Sequence, residues 1–172
     1  MDACTLRAAG AADAEFLLRV YASTRQGELA ATGWSAAQLD AFLRQQFAAQ
    51  DGYYRRHFPQ AQFAIVQSEG ADAGRLVVDR DDDEIRLLDI ALLPQYRRRG
   101  LGGAMLRALL AEATASRRRV SLHVECNNPA LALYAKMGFV AVQDAGIYRL
   151  MHWHPGAADA PRAEMAAEPL AA

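Results

Sequence analysis

Residues 85–112 read IRLLDIALLPQYRRRGLGGAMLRALLAE, and this stretch decides the fold. Residues 85–93 are nearly all apolar, as in a strand that is covered on both faces, and they carry a single acid, Asp89. Pro94 ends the strand because it has no N–H to give to a ladder. Apolar residues then recur at helical spacing from Leu101 onward. The stretch therefore predicts a buried strand, a short turn and a helix.

The turn combines three arginines, at 97–99, with glycines at 100, 102 and 103. A glycine-rich turn at a helix start leaves backbone N–H groups bare at the positive end of the helix dipole. The arginines beside it add fixed positive charge. The turn therefore predicts a phosphate-binding site, although a plain tight turn would explain this segment taken alone.

Composition bounds the class of protein. The 172 residues are 52% apolar or aromatic and 23% charged, which is typical of one soluble globular domain. A net charge of −1 argues against a general nucleic-acid binder. Cys4 and Cys126 lack metal-binding spacing and suit a reducing compartment. Neither a signal peptide nor an apolar run long enough to span a bilayer is evident, so we expect a cytoplasmic protein with no membrane partner.

The rest of the chain predicts alternating strands and helices within one domain, residues 1–154. A first strand and two helices precede a hairpin whose turn we place at residues 68–74. Residues 121–126 follow a helical crossover, so this strand should lie parallel to the strand at 85–93. A short helix after Pro129 and two more strands complete the domain. Residues 155–172 are rich in alanine and proline, and we expect them to be poorly ordered.

Two sequence motifs, one after the other along the chain, resemble motifs of the GNAT superfamily of N-acetyltransferases, which use acetyl-coenzyme A. LLPQYRRRGLGGAML, residues 92–106, is similar to the family's pyrophosphate motif, which Arg97, Gly100 and Gly102 match. NNPALALYAKMGF, residues 127–139, is similar to its second motif. The matching residues there are Asn127, Ala130, Leu133, Tyr134, Gly138 and Phe139.

The resemblance implies an α/β fold: a mixed, mostly antiparallel sheet of six or seven strands with helices on both faces. A central parallel pair would splay to admit acetyl-coenzyme A. Backbone groups of Leu92 and Leu93 would pair with the pantetheine arm like an added strand, and Tyr134 would protonate the departing thiolate. No metal is implied. The cofactor-binding residues implied are Leu92, Leu93, Arg97, Arg98, Arg99, Gly100, Leu101, Gly102, Gly103, Asn127 and Tyr134.

Three polar side chains are candidates to accept the proton of the acceptor amine. Asp89 interrupts an apolar strand, where a carboxylate is costly unless it is paired or functional. Alternation along residues 121–126 places His123 and Glu125 on one face, and Cys126 on the apolar face with Leu122. A structural ion pair or hydrogen bond is the alternative reading of all three. Cys126 as an acyl-carrying nucleophile is less favoured than direct transfer in a ternary complex.

The sequence thus predicts an N-acetyltransferase that acts on a primary amine, a small molecule or a peptide. The alternative is a non-catalytic module that binds acyl-coenzyme A and has a regulatory or interaction role. A homodimer is possible in this family. The first two helices should form one wall of the acceptor cleft. Candidates for that wall are Arg25, Glu28, Trp34, Gln46, Gln50, Tyr53 and Tyr54.

Overall fold

A computed structural model of the chain describes residues 4–156. Residues 157–172, which make up nearly all of the predicted tail, lie outside the described residues. The seven strands of the described part are β1 (Cys4–Ala8), β2 (Gln62–Ser68), β3 (Ala71–Arg80), β4 (Glu84–Leu92), β5 (Arg119–Glu125), β6 (Val140–Ala145) and β7 (Tyr148–Trp153). The four α-helices there are α1 (Ala14–Leu29), α2 (Ala36–His57), α3 (Leu101–Ser116) and α4 (Leu131–Lys136).

The strands form one sheet in the order β1-β2-β3-β4-β5-β7-β6. Every neighbouring pair is antiparallel except β4 and β5, which are parallel. Helix α3 makes the crossover between these two strands, as a parallel connection requires. The predicted mixed, mostly antiparallel sheet with a central parallel pair is confirmed.

Apolar side chains pack on both faces of the sheet. The larger cluster lies under α3 and α4 and includes Ile85 and Leu87 of β4. A smaller cluster lies under α1, where Val20 packs against Ala91 and Leu93. The apolar residues of β4 thus change face between Leu87 and Ala91, which regular alternation would not allow.

A β-bulge explains this change of face. Val78 of β3 lies opposite Leu87, whereas the preceding residue, Val77, lies opposite Asp89, so Leu88 is an extra residue on β4. One extra residue reverses the inward and outward directions of all residues that follow it. Asp89 therefore shares the α1 and α2 face of the sheet, and Leu92 packs with the cluster under α3.

The turn between β2 and β3 is shorter than residues 68–74, so this prediction was wrong. Only Glu69 and Gly70 form it, both with positive φ (53° and 78°), as a two-residue hairpin turn requires. Asp72 and Gly74, which suggested a longer loop, belong to β3. Asp72 is held within the strand because its carboxylate accepts hydrogen bonds from Arg7 (2.6 Å) and from the Gln67 amide (2.9 Å).

Among residues 4–156, no helix combines the length and the apolar character needed to cross a membrane.

We predict that Gly74→Ala lowers the free energy of unfolding by about 1–3 kcal/mol, because the strand cannot accept an added methyl group. A Cβ on Gly74 would lie 2.2 Å from the carbonyl oxygen of Ala91. Gly27→Ala is the matched control, since a Cβ there meets nothing within 4 Å on helix α1. That control should raise stability by about 0.5–1 kcal/mol. Urea unfolding of both variants measures the difference, and equal stability would contradict the close packing of β3 on β4.

Candidate active site

The parallel strands separate beyond their first residues. Hydrogen-bonded pairing joins Glu84–Leu87 of β4 to Arg119–Leu122 of β5 and then stops, although β4 continues to Leu92 and β5 to Glu125. The gap opens into a cleft of about 270 Å³ that is lined from both faces of the sheet. The predicted splay of the central pair is therefore present.

Helix α2 contacts the strand at the point of separation. The phenol of Tyr54 donates a hydrogen bond to the carbonyl oxygen of Leu88, at 3.1 Å. Leu88 is the bulge residue, whose backbone groups have left the regular ladder. Tyr54 thus satisfies a carbonyl group that strand pairing leaves free.

The glycine turn presents backbone N–H groups at the start of α3. Arg98 and Gly100 both have positive φ, 60° and 85°, and Arg99 between them does not. Such alternation turns successive N–H groups toward one side and forms an anion-binding concavity. Gly100 O accepts the first intrahelical bond, from Ala104 N, so the N–H groups of residues 101–103 have no helical acceptor. The turn can therefore bind an anion, and the phosphate site itself stays a prediction.

Arg97 braces the turn instead of extending toward a phosphate. Its Nε donates to the carbonyl oxygen of Leu92 (2.7 Å), and its Nη2 donates to the hydroxyl and carbonyl oxygens of Ser23 on α1 (2.9 and 3.1 Å). Its guanidinium group therefore ties α1 to the end of β4.

Leu92 and Leu93 differ in the direction of their backbone groups. The N–H of Leu93 donates to Ala73 O on β3, at 2.9 Å, and is not free. Because backbone groups alternate in direction along a strand, the N–H of Leu92 faces the gap beside β5. Of the two predicted residues, Leu92 is the one positioned to bind a group lying in that gap.

Tyr134 lies on α4 at the α3 side of the cleft and is 6% exposed. Its ring packs edge-on against Phe139, with ring centroids 5.7 Å apart. Burial, with a smaller contribution from the charge of Asp89, raises the pKa of Tyr134 to about 12. The phenol is therefore protonated at neutral pH, as a proton donor must be, and its role as the acid stays a prediction. The start of α3 adjoins this helix, because a Cβ on Gly102 would lie 3.9 Å from Leu133.

Asp89 lies at the floor of the cleft on the opposite face, in an ion pair with Arg75 of β3. Arg75 also donates a hydrogen bond to the Gln50 side chain of α2, at 2.7 Å. Burial raises the pKa of Asp89, and the charge of Arg75 opposes that change. Arg75 was missed from the sequence. The available signal was a cation inside the apolar run of residues 73–78, all of which are buried.

His123 and Glu125 line the same cleft from β5, on the face that alternation predicted. Their neighbours Leu122 and Val124 pack in the cluster under α3. Glu125 lies 3.6 Å from Arg25 of α1, which bridges the mouth of the cleft. The cleft therefore brings together all three candidate proton acceptors and Tyr134. The three candidate acceptors lie on one face of the separated strands, and Tyr134 lies on the other.

Fewer of the residues predicted for the acceptor wall line the cleft than expected. Arg25, Glu28, Gln50 and Tyr54 line the cleft, but the other candidates do not. Those other candidates are Trp34, Gln46 and Tyr53.

The segment that follows β5 also differs from its prediction. Asn127 is exposed and lies outside the cleft lining, which instead includes Asn128. Asn128 Oδ1 accepts a hydrogen bond from Ala130 N (2.8 Å), and this bond shapes the start of α4. Cys126 is exposed and not on the apolar face, because β5 ends at Glu125. Among residues 4–156, no group of three or more His, Cys, Asp or Glu side chains is placed to hold a metal ion.

Comparison with known proteins finds similarity to one family of enzymes. Residues 59–141 match the family model for the acetyltransferase (GNAT) domain. A Bacillus subtilis (strain 168) protein, provisionally named as a ribosomal-protein-bS18-alanine N-acetyltransferase, is 34% identical over 93 residues. That match covers 52% of this chain and spans only 58% of the length of the curated relative.

Solved structures share the fold. The PaiA N-acetyltransferase of Thermoplasma acidophilum, determined in complex with coenzyme A, superimposes with a TM-score of 0.67 at 17% identity. The alignment covers 88% of this chain and 99% of that one. The ribosomal-protein-S18-alanine N-acetyltransferase of Escherichia coli gives a TM-score of 0.58 at 22% identity, covering 88% and 94%. The family-model match covers just under half of the chain, so residues 59–141 are similar to the acetyltransferase (GNAT) domain, and the solved structures share the fold of the chain.

Proposed function

We propose that the protein is an N-acetyltransferase that moves the acetyl group of acetyl-coenzyme A directly to a primary amine in a ternary complex. One observation carries the proposal. The parallel pair β4–β5 opens into a cleft that has a glycine-opened helix start beside it, a buried phenol on one face and acidic side chains on the other.

The residues present fit acetyl-coenzyme A as co-substrate. The N–H of Leu92 faces the gap, where it can bind the pantetheine arm by adding to the edge of β4. The free N–H groups of residues 101–103 suit the pyrophosphate, and the exposed arginines at 98 and 99 add positive charge. Asn128 is better placed than Asn127 to contact the arm. The structure of the Thermoplasma acidophilum relative with coenzyme A supports this assignment.

The two faces of the cleft would supply different catalytic groups: one face would hold the proton acceptor and the other the proton donor. A side chain on the α1 and α2 face, chosen from Asp89, His123 and Glu125, takes one proton from the acceptor ammonium and frees the nitrogen lone pair. The nitrogen forms a bond to the thioester carbon, and the carbon–sulfur bond breaks. Tyr134 on the other face gives its proton to the departing sulfur. The second proton lost from nitrogen returns Tyr134 to its neutral form, so one proton is released to solvent in each turnover.

The acceptor is a cationic amine in this proposal. The charged groups of the cleft lining comprise two arginines and three carboxylates, which favours a positively charged ligand. Two relatives carry names that specify an alanine of ribosomal protein S18. A peptide amine at an N-terminal alanine is therefore the first acceptor that we would test.

A thiol-release assay tests the proposal. Purified protein is incubated with acetyl-coenzyme A and a panel of amines that includes peptides with N-terminal alanine, free amino acids and polyamines. Release of free coenzyme A with at least one acceptor is the expected result. Stabilisation by acetyl-coenzyme A without turnover on any acceptor would instead favour a non-catalytic binding module.

Removing the phenol of Tyr134 should separate catalysis from binding. We expect Tyr134→Phe to lower kcat by about 10²-fold, which is the usual contribution of a general acid, and to leave the Kd for acetyl-coenzyme A within about twofold. Tyr53→Phe is the matched control, because Tyr53 is 50% exposed and lies outside the cleft lining. Equal loss in both variants, or no loss in Tyr134→Phe, would rule out the assigned acid.

The kinetic order should show a ternary complex. Both cysteines are described, and neither lines the cleft, so no thiol is placed to carry the acetyl group. Double-reciprocal plots at several acceptor concentrations should therefore intersect, and Cys126→Ser should retain full activity. Parallel lines, together with loss of activity in Cys126→Ser, would show a covalent acetyl-enzyme instead.

A further inference from the structure

Arg75 is a buried cation that the proposed chemistry has not used. It is 6% exposed and lies on β3 beneath the acceptor side of the cleft. Its guanidinium group contacts the carboxylate of Asp89 and donates to Gln50. It also lies over the rings of Tyr21 and Phe47, with its central carbon 5.7 and 5.6 Å from the ring centroids. Four elements, α1, α2, β3 and β4, thus hold this side chain in place.

Stability alone does not explain the Arg75–Asp89 pair. Removing two charges from water costs several kcal/mol per ion in order of magnitude, and an apolar pair of similar volume often folds at least as well. The pair is also incompletely hydrogen-bonded. Asp89 Oδ2 is the atom that Arg75 Nη2 contacts, but the buried Arg75 Nε has no hydrogen-bond partner within residues 4–156. Such incomplete bonding of buried polar groups requires a reason other than folding, and a catalytic site is one.

We propose that Arg75 is a positioning residue: it holds the Asp89 carboxylate at the floor of the cleft, where Asp89 accepts the proton of the acceptor ammonium. This inference rests on the proposed acetyl transfer. In the step itself, one N–H bond of the ammonium breaks and an O–H bond to Asp89 forms, and the electron pair of the broken bond remains on nitrogen. Arg75 does not touch the reacting atoms and acts only through Asp89.

Among the groups around Asp89, Arg75 has the largest influence that lowers the pKa of its carboxyl group. Burial raises the pKa of Asp89, and the guanidinium of Arg75 is the main opposing influence. The phenols of Tyr54 and Tyr134, on α2 and α4, lie near the carboxylate but are neutral at physiological pH, since the pKa of each is raised. The other charged or titratable groups around the cleft are Tyr21, Arg25 and Glu28 of α1, His123 and Glu125 of β5, and Tyr148 of β7. Loss of Arg75 would therefore raise the pKa of Asp89 further.

The pH dependence of kcat/KM tests the role of Arg75. Arg75→Met should lower kcat/KM at pH 7 by at least about 10-fold, and activity should recover as the pH rises, because the acidic limb moves upward by at least about one pH unit. In Arg75→Lys the acidic limb should stay close to its wild-type position, since lysine retains the positive charge. Arg86→Met is the control, because Arg86 pairs with Glu84 outside the cleft, and its profile should match the wild type.

A second variant keeps the test decisive if Arg75→Met fails to fold. Asp89→Asn keeps the size and shape of the side chain but cannot accept the proton, so it should lower kcat/KM by about 10²-fold and abolish the acidic limb. Wild-type activity in Asp89→Asn, or a loss in Arg75→Met that is the same at every pH, would overturn the inference. Failure of the proposed function would look different, since the wild-type protein itself would then release no thiol with any acceptor.

Discussion

The extra residue at Leu88 is the local constraint on which the site depends. Because Leu88 has no partner on β3, β4 changes the direction of every side chain that follows. The last pair between β4 and β5 forms at Leu87, directly before this residue, and beyond it the two strands are separate. The bulge thereby coincides with the start of the cleft, presents its free carbonyl to Tyr54 and turns Asp89 toward α1 and α2. A regular strand would place Asp89 under α3, in the apolar cluster.

Separation of the strands also determines how the site divides its chemistry. Leu122 and Val124 pack toward α3 and α4, where Tyr134 is buried, while His123 and Glu125 face the other way. The cleft passes between these faces, so a proton donor and several proton acceptors reach one space without lying side by side. The start of α3 lies against α4, the helix that carries Tyr134, because a Cβ on Gly102 would lie 3.9 Å from Leu133. The proposed cofactor and acceptor sites therefore adjoin at the gap between the strands.

Local patterns in the sequence predicted most of the fold. The apolar run at residues 85–93, the glycine turn and the helix that follows required only short-range signals, and the parallel pairing followed from the helical crossover. The motif at residues 127–139 pointed to Tyr134, and the alternation of side chains along β5 predicted the face on which His123 and Glu125 lie.

The features that the sequence did not predict depend on contacts between residues that are far apart in the chain. The turn before β3 was placed too long because Asp72 is bound by Arg7 of β1, a partner 65 positions away. Arg97 matched a phosphate motif but binds Ser23 of α1. Neither the bulge at Leu88 nor the pairing of Arg75 with Asp89 has a local signal, because both depend on strand register, which only the folded sheet defines.

A crystal structure with bound coenzyme A tests the central claim most directly. The pantetheine arm should lie in the gap between β4 and β5 and accept a hydrogen bond from the N–H of Leu92. The pyrophosphate should bind the N–H groups of residues 101–103. Coenzyme A bound elsewhere on the protein, or β4 and β5 paired beyond Leu87 with the gap closed, would contradict it.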